Sequence, residues 1–365
     1  MSSSASCARR VTSGENTANV AVLESRQMRT FSLCFVFAAA LLHAQSRNLD
    51  IYWVDTEGGA ATLIVSPSGQ SMLVDTGNPG DRDAKRIADA AKTAGLQRID
   101  MLVITHFHGD HVGGVPALAK LIPIQMFYDH GDSIEAGNSP QTTKLWDDYK
   151  GLAESKRVIL KPGDKIPLNG IDVTVVSANG EVIQKPINGG SSNPTCQNAL
   201  QKDTDKTENG RSTGFMLSYG KFKFLDVGDL TWDRESMLAC PVNKVGTVTL
   251  FQATHHGFVN GQSGAPALVW AVNPQVVIVN DGPRKGLEGD AFETITKIPR
   301  LEDTWQVHRA LKNDASHNTK EQQIANLEET ADCKGFWIKA SVSPDGRFTV
   351  TNGRNGYSKM YTAQP

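Results

Sequence analysis

Residues 104–111 read Ile-Thr-His-Phe-His-Gly-Asp-His and continue the apolar run Met101–Ile104, which predicts a buried β-strand. Three of the nine histidines of the chain lie in this stretch, with an aspartate among them. Imidazole nitrogens and carboxylate oxygens suit Zn²⁺ and similar first-row ions. The stretch therefore predicts a metal site at the end of a strand. The alternative, polar residues that merely cap the strand, does not explain why so many ligand types cluster here.

The spacing of these side chains indicates two neighbouring metal positions. His106 and His108 project to one side of an extended segment, because alternate residues of such a segment share a side. Asp110 and His111 follow in a turn that Gly109 permits. One loop can thus supply ligands to two adjacent ions.

Three further stretches carry a family resemblance. They are Ser71–Gly77 (SMLVDTG), Phe222–Leu230 (FKFLDVGDL) and Ala253–Gly257 (ATHHG). Together with the first motif they resemble the metallo-β-lactamase fold hydrolases, whose hallmark is HxHxDH. The resemblance covers residues from about 50 to 260 and implies an α/β fold, a four-layer αββα sandwich. It also implies that Asp75 braces the metal loop without binding metal, whereas Asp229 bridges two metal ions.

Within this superfamily, the chain looks most similar to the ComEC-type branch, the hydrolase domains of DNA-uptake competence proteins and their free-standing secreted relatives. The similar segments are Asp55–Ala61, Gly210–Gly214 and His255–Gly257. Phe258 stands where those proteins carry a serine after the paired histidines. We therefore expect the substrate end of this loop to be altered.

The resemblance yields a full ligand set of six residues. We predict that the first metal is held by His106 and His108, the second by Asp110, His111 and His256, and both by the bridging Asp229. Two Zn²⁺ ions, or Mn²⁺ in their place, would lower the pKa of a bound water and produce a hydroxide nucleophile. Asp110 and Asp229 are the predicted catalytic residues, and Asp110 can also deliver a proton to the leaving group.

The paired histidines need a choice, because adjacent residues of an extended segment point to opposite sides. We predict that His256 binds metal and that His255 packs or hydrogen-bonds behind it. Many family members also carry a histidine between HxHxDH and the bridging aspartate, and this interval holds only His130. His130 is either that ligand or an ordinary strand-end histidine. Without it, one metal is held tightly and one exchanges, or Mn²⁺ is preferred to Zn²⁺.

A substrate contact is predicted after the apolar strand Gln275–Val279. Arg284 and Lys285 follow it and can hold an anionic group, unless Asp-Gly-Pro merely sets a surface turn there. The polar segment 184–211 is either a solvated insertion or a substrate lid. Once the leader is excluded, Cys196, Cys240 and Cys333 allow at most one disulfide, and the sequence does not select the pair.

The N-terminal region predicts export. A charged residue, a short apolar run and a small-residue exit follow one another within residues 29–45, as in a signal peptide, although a buried N-terminal helix is the alternative. We predict an N-terminal extension and signal peptide over 1–44 and one hydrolase domain over 45–365. The mature protein would be secreted or periplasmic, with no transmembrane anchor.

The amino-acid composition narrows the range of binding partners. The 365 residues include 37 Lys and Arg against 39 Asp and Glu, a net charge of −2, so the basic excess of a duplex-binding protein is missing. We predict a hydrolase of a small ester, lactone, β-lactam or phosphodiester, with no stable nucleic-acid complex. The alternatives are a metal-dependent nuclease or nucleotide phosphodiesterase, and a non-hydrolytic metal-binding member of the fold.

Overall fold

Two mixed β-sheets stack face to face and helices cover their outer faces, in a computed structural model that describes residues 48–188, 190–330 and 332–364. The predicted αββα sandwich is confirmed. The predicted leader over 1–44 lies outside the described residues. Among the helices that are described, none has the length and apolar character needed to cross a membrane.

The first sheet has nine strands and mixes parallel with antiparallel pairs. In chain order they are β1 Leu49–Trp53, β2 Thr62–Val65, β3 Ser71–Val74, β4 Ile99–Val103, β5 Ile124–Asp129 and β6 Arg157–Ile159, joined by the later strands Ile338–Val342, Arg347–Asn352 and Ser358–Thr362. The three later strands form antiparallel hairpins, and Ile338–Val342 pairs with β1 at the sheet's centre. From β3 to β6 the neighbouring strands run parallel.

The second sheet has eight strands. They are β7 Asp172–Ala178, β8 Glu181–Val182, β9 Gly214–Tyr219, β10 Phe222–Asp226, β11 Leu250–Gln252, β12 Val276–Val279, β13 Asp303–His308 and β14 Ile324–Asn326. From β10 to β14 each strand runs parallel to the next, whereas β9 pairs with β10 antiparallel. The later strands of the first sheet are then β15, β16 and β17, so the C-terminal part of the chain returns from the second sheet to the first.

Helices form the two outer layers. They are α1 Asp81–Thr93, α2 Gly109–Val112, α3 Val115–Leu121, α4 Pro140–Ala153, α5 Trp232–Ala239, α6 Pro266–Val272 and α7 Gly289–Thr296. The apolar faces of α1, α3 and α4 pack on the first sheet, and those of α5, α6 and α7 pack on the second. The apolar pattern of the sequence predicts helices over Arg82–Ala94, Val115–Leu121 and Ala265–Val272, and α1, α3 and α6 agree with these to within a residue or two. The pattern does not predict α4, α5 or α7.

The central core lies between the sheets and consists of large apolar side chains from both. Trp53 of β1 meets Phe224 of β10 edge to face, with ring centroids 5.6 Å apart. One polar link crosses the same layer, because the Gln252 side-chain oxygen accepts hydrogen bonds from Trp53 Nε1 at 2.7 Å and Thr62 Oγ1 at 2.9 Å. This contact satisfies buried polar atoms that would otherwise destabilise the fold.

A disulfide connects the long polar segment to a helix. Cys196 bonds to Cys240 at the end of α5, and Cys333 keeps a free thiol. Segment 184–211 is therefore tied to the second sheet's outer layer at Cys196. Its last part is buried, with Glu208, Asn209 and Gly210 inside the protein. The segment is thus not a plain solvated insertion along its whole length.

Phe224 provides a test of the inter-sheet core. Its side chain is fully buried between Trp53 and Phe215, so Phe224→Ala leaves a cavity between the sheets. We expect the free energy of unfolding to fall by about 3–5 kcal/mol, measured by urea denaturation. Met360→Ala on the exposed face of β17 serves as the control and should change stability by less than about 0.5 kcal/mol. Equal effects of the two substitutions would contradict this description of the core.

Candidate metal centre

The carboxyl ends of parallel strands from both sheets meet at one edge and carry the predicted ligands. Asp75 follows β3, and the HxHxDH loop follows β4, its parallel neighbour. Asp229 follows β10, and the paired histidines follow β11, again a parallel pair. Parallel strands end side by side, so residues far apart in sequence converge here. Gly228 allows this approach, because a Cβ there would lie 2.9 Å from the Thr105 Cβ.

Four side chains form a close cluster with the geometry of a metal site. One ligand atom each from Asp110, His111, Asp229 and His256 lies within 4.8 Å of all the others. His111 Nε2 lies 3.4 Å from Asp110 Oδ2 and 3.2 Å from both Asp229 Oδ2 and His256 Nε2. His256 Nε2 lies 3.2 Å from Asp110 Oδ2 and 3.4 Å from Asp229 Oδ2.

These separations are those expected between the ligands of a tetrahedral ion. Zinc bonds of 2.0–2.1 Å at tetrahedral angles place neighbouring ligand atoms about 3.3 Å apart. Five of the six edges of the cluster fall between 3.2 and 3.4 Å. The described residues therefore fit a divalent ion held by two imidazoles and two carboxylates.

A second position adjoins the first. His106 Nε2 and His108 Nδ1 face each other at 3.0 Å, and His106 Nε2 is 3.9 Å from Asp229 Oδ2. Asp229 thus contacts both groups of histidines, as a bridging carboxylate would. The other ring nitrogen of His108, Nε2, lies 3.4 Å from the Glu135 carboxylate. A carboxylate in this position fixes the orientation of a ligating imidazole. Glu135 is not recognisable from the sequence, because a lone glutamate in a loop after β5 carries no motif.

Asp75 supports the metal loop from behind. One of its oxygens accepts a hydrogen bond from the Thr105 backbone N–H at 2.8 Å. The other accepts from His111 Nδ1 at 2.7 Å, which leaves Nε2 of that ring free to face the cluster. Asp75 Oδ2 also accepts from Thr105 Oγ1. Asp75 therefore supports the predicted ligand His111 through a hydrogen bond and is not itself one of the ligands.

The paired histidines do not lie on an extended segment. His255 and His256 have φ values of 51° and 56°, and the left-handed turn continues through Gly257 and Phe258. Both rings consequently reach Asp229, with His255 Nε2 3.3 Å from its Oδ2. The premise that one ring must point away from the centre is wrong. His256 still belongs to the four-residue cluster, and His255 contacts Asp229 from another side.

His130 lies apart from the metal cluster. Its Nε2 is bonded to Glu208 at 3.0 Å, and Glu208 also accepts from the Phe107 backbone N–H at 3.2 Å. Glu208 is thus a buried link between the metal loop, His130 and segment 184–211. Its pKa, which burial alone would raise, is lowered to about 2, chiefly by the His130 hydrogen bond. The structure places His130 in this link and not among the converging ligand atoms. The residue near His106 is Ser212, whose Oγ lies 3.5 Å from Nδ1 of the His106 ring.

Arg284 and Lys285 have different partners in the structure. Lys285 Nζ contacts the Asp110 carboxylate, so its charge lies beside the centre. The Arg284 side chain is 74% exposed and pairs with Glu329 at 2.6 Å. Only Lys285 is positioned to meet a substrate group at the metal cluster. Phe258 is buried in the core beneath the second sheet, so the residue that replaces the serine packs inward.

Charge within the cluster is strongly coupled. Burial alone would raise the pKa values of Asp110 and Asp229, but the imidazoles, above all that of His111, hold both well below the ordinary range. Burial alone would lower the pKa of His111, yet Asp229, Asp75 and Asp110 raise it well above its usual value. Burial, with neighbouring imidazoles, lowers the pKa of His106, and burial takes the pKa of His255 to about 4.

Comparison with known proteins agrees with this geometry. The family model of the Metallo-beta-lactamase superfamily matches residues 54–187, which include the HxHxDH loop and Asp75. Residues 54–187 are thus similar to this superfamily over a little more than a third of the chain. The ligand residues after position 187 lie in the second sheet, which completes the metallo-β-lactamase fold.

Individual relatives cover only parts of the chain. A UPF0173 metal-dependent hydrolase of Cupriavidus metallidurans is 28% identical over 195 residues, or 51% of this chain and 57% of the relative. Ribonuclease Z of Bradyrhizobium is 31% identical over 141 residues, or 36% and 40%. The crystal structure of CmlA, a diiron β-hydroxylase from Streptomyces venezuelae, matches with 15% identity and a TM-score of 0.39 over 70% and 48%. These relatives do not point to the ComEC-type branch.

The raised pKa of His111 predicts proton release on metal binding. At pH 7 the metal-free His111 is protonated, while Asp110 and Asp229 are ionised, so a metal ion must displace a proton from Nε2. We expect release of about one proton and metal affinity that falls as pH is lowered. Calorimetric titration with Zn²⁺ in buffers of different ionisation enthalpy measures the release.

Asp75→Asn offers a matched variant for this measurement. It removes one of the carboxylates that raise the pKa of His111, so fewer protons should be released and metal affinity should drop about 10–100-fold. Asp147→Asn, on the exposed face of α4, should behave as the native protein. Binding without proton release in the native protein would refute the charge assignment.

Proposed function

We propose that this protein is a secreted metal-dependent hydrolase with a dinuclear centre that acts on a small ester, lactone, β-lactam or phosphodiester. The observation that carries the proposal is the position of Asp229. Its Oδ2 lies 3.2–3.9 Å from ring nitrogens of His106, His111, His255 and His256. A closed structural site would not need a shared carboxylate between two groups of imidazoles.

The metal ions would be Zn²⁺, with Mn²⁺ as an alternative, because the donors are imidazole nitrogens and carboxylate oxygens without sulfur. When bound, they would supply an activated water and polarise the bond under attack. His106 and His108 would hold one ion, and Asp110, His111 and His256 the other. The relative in Cupriavidus metallidurans, named as a metal-dependent hydrolase, supports this reaction type.

Asp110 and Lys285 would handle charge at the reacting bond. The Asp110 carboxylate is the half-exposed member of the four-residue cluster, whereas His111, Asp229 and His256 are buried. It is therefore the group that a substrate meets. Because it is ionised, it would first accept a proton from the attacking water and then pass that proton to the leaving group. Lys285 Nζ contacts the same carboxylate and can bind an anionic group of the substrate.

Export is supported by the N-terminal sequence and by the disulfide. The charged, apolar and small-residue regions within residues 29–45 support a cleaved signal peptide, and a disulfide between Cys196 and Cys240 suits an oxidising compartment. We place the mature enzyme outside the cytoplasm, secreted or periplasmic.

A second candidate is a nuclease or nucleotide phosphodiesterase. The similarity to ribonuclease Z of Bradyrhizobium supports it, since that relative matches 36% of this chain. The net charge of −2 favours the small-molecule substrate, because a protein that tracks phosphates needs an excess of basic residues.

Removal of Asp110 tests the centre. We expect Asp110→Ala to lower kcat about 10²–10⁴-fold on every substrate that is hydrolysed, because both a ligand and a proton donor are lost. The assay is a chromogenic panel of phosphodiester, lactone, carboxylester and cephalosporin substrates, with metal content measured in parallel. Asp147→Ala is the control for an aspartate outside the site. Full activity of Asp110→Ala on the best substrate would reject the assignment.

Lys285 and its neighbour form a natural pair of variants. Lys285→Ala should raise the KM for an anionic substrate about tenfold, because a charge-assisted hydrogen bond is lost. Arg284→Ala should leave KM unchanged, since Arg284 pairs with Glu329 at the surface. Steady-state kinetics on matched anionic and neutral esters measures the difference, and equal effects on both esters would contradict this role.

Salt dependence separates the two candidates. A pocket that holds one anionic group should change KM only a few-fold between about 50 and 200 mM salt. A duplex binder with several phosphate contacts would lose about 10³–10⁵ in affinity over the same range.

A further inference from the structure

A second group of metal-binding side chains lies outside the His/Asp centre. One ligand atom each from Asp55, His308 and Cys333 lies within 4.8 Å of the other two. Asp55 and His308 are buried, and Cys333 is partly exposed. Asp55 follows β1, His308 ends β13, and Cys333 lies in the connection between β14 and β15. Three distant parts of the chain therefore bring a carboxylate, an imidazole and a thiol to one place.

Local contacts leave these groups ready to bind a cation. His308 Nδ1 lies 3.2 Å from the Arg309 carbonyl oxygen. A carbonyl only accepts, so Nδ1 carries the proton and Nε2 presents its lone pair. Asp55 Oδ1 accepts from the Glu57 backbone N–H, and Oδ2 forms an ion pair with the Arg86 guanidinium at 3.2 Å, so a metal ion here would share the carboxylate with Arg86. Hydrogen bonds of this kind commonly orient a ligating carboxylate.

The spacing also fits an ion. Cys333 Sγ lies 3.8 Å from Asp55 Oδ2. In a tetrahedral zinc site, with bonds of about 2.3 Å to sulfur and 2.0 Å to oxygen, these two atoms lie about 3.5 Å apart. Asn326 Oδ1 is also 3.8 Å from Cys333 Sγ, so a neutral oxygen stands beside the same thiol.

We propose that Asp55, His308 and Cys333 form a separate site for a thiophilic divalent cation of the Zn²⁺ type. The proposal does not depend on the hydrolytic activity. Thiolate, imidazole and carboxylate are the donors that zinc takes, and the thiolate distinguishes this site from the principal centre, whose donors are nitrogen and oxygen. The buried Asp281 stands next to it, because its carboxylate accepts from the His308 backbone N–H at 3.1 Å.

A cation at this site would fasten the two sheets together next to the principal centre. Asp55 belongs to the first sheet and His308 to the second, and Cys333 lies on the chain that returns between them. The loop after Asp55 reaches the metal loop, where the Ala60 backbone N–H donates to the Asp110 carbonyl oxygen at 3.0 Å. The site is therefore structural in position and supports the loop that carries Asp110.

Cobalt titration tests the proposal on the purified, metal-stripped protein. Co²⁺ bound by a thiolate gives a sulfur-to-metal charge-transfer absorption in the near ultraviolet, which nitrogen and oxygen ligands do not produce. We expect the fully loaded native protein to show this absorption with the intensity of one thiolate-bound Co²⁺ per chain. It should vanish in Cys333→Ser, which should bind one equivalent fewer than the native protein. Asp110→Ala, which alters the principal centre, should keep the absorption, as should the surface variant His317→Ala.

Two results would overturn the proposal. One is a native protein that fills its Co²⁺ sites without any thiolate absorption, which would leave Cys333 as a packed thiol. The other is an absorption and Co²⁺ count that persist in Cys333→Ser. Alkylation gives an independent readout on native protein, because enough Zn²⁺ to fill every site should slow the reaction of the Cys333 thiol several-fold. An unchanged alkylation rate counts against the site, and circular dichroism verifies that Cys333→Ser is folded.

Discussion

The buried carboxylate of Asp229 is the constraint on which the site depends. Its residue is only 3% exposed, and a buried negative charge without partners would be strongly destabilising. The structure surrounds it with imidazoles, and in the metal-free protein the protonated His111 supplies the compensating charge. A metal ion can take over that role without moving the ligands. The arrangement of the ligand atoms is therefore preformed, and a proton and a metal ion compete for the same place in it.

The fold supplies this arrangement through strand ends. Parallel strands of both sheets terminate at one edge, so each ligand needs only a short loop to reach Asp229. The least ordinary loop is the left-handed turn at His255 and His256, a conformation that non-glycine residues adopt at a cost. Contacts of the neighbouring chain hold it, since Leu287 N–H donates to the His256 carbonyl oxygen at 3.0 Å. Contacts with the surrounding chain thus maintain the strained turn at the centre.

The sequence predicts much of this, and its failures have physical causes. The HxHxDH loop is visible in the sequence itself, whereas the αββα fold and the place of Asp229 follow from the family resemblance that the motifs carry. The turn at His255 is not predictable from the rule for extended segments, because tertiary contacts set its backbone. Glu135 and Glu208 are missed, since single acidic residues in loops acquire meaning only when folding brings them to His108 and His130. Helix α4 is missed because its apolar face has weak periodicity.

The same strand edge explains why two kinds of site can coexist in one domain. The principal centre uses strand ends β3, β4, β10 and β11, whereas the Asp55 group uses β1 and β13. Donor chemistry keeps them distinct, because sulfur is present only in the second group among the described residues. The connection through Ala60 and Asp110 is direct backbone hydrogen bonding, so order in the second group is transmitted to the loop that a substrate meets. This support acts on Asp110, whose partly exposed carboxylate is otherwise held by Lys285 and by the imidazoles of the cluster.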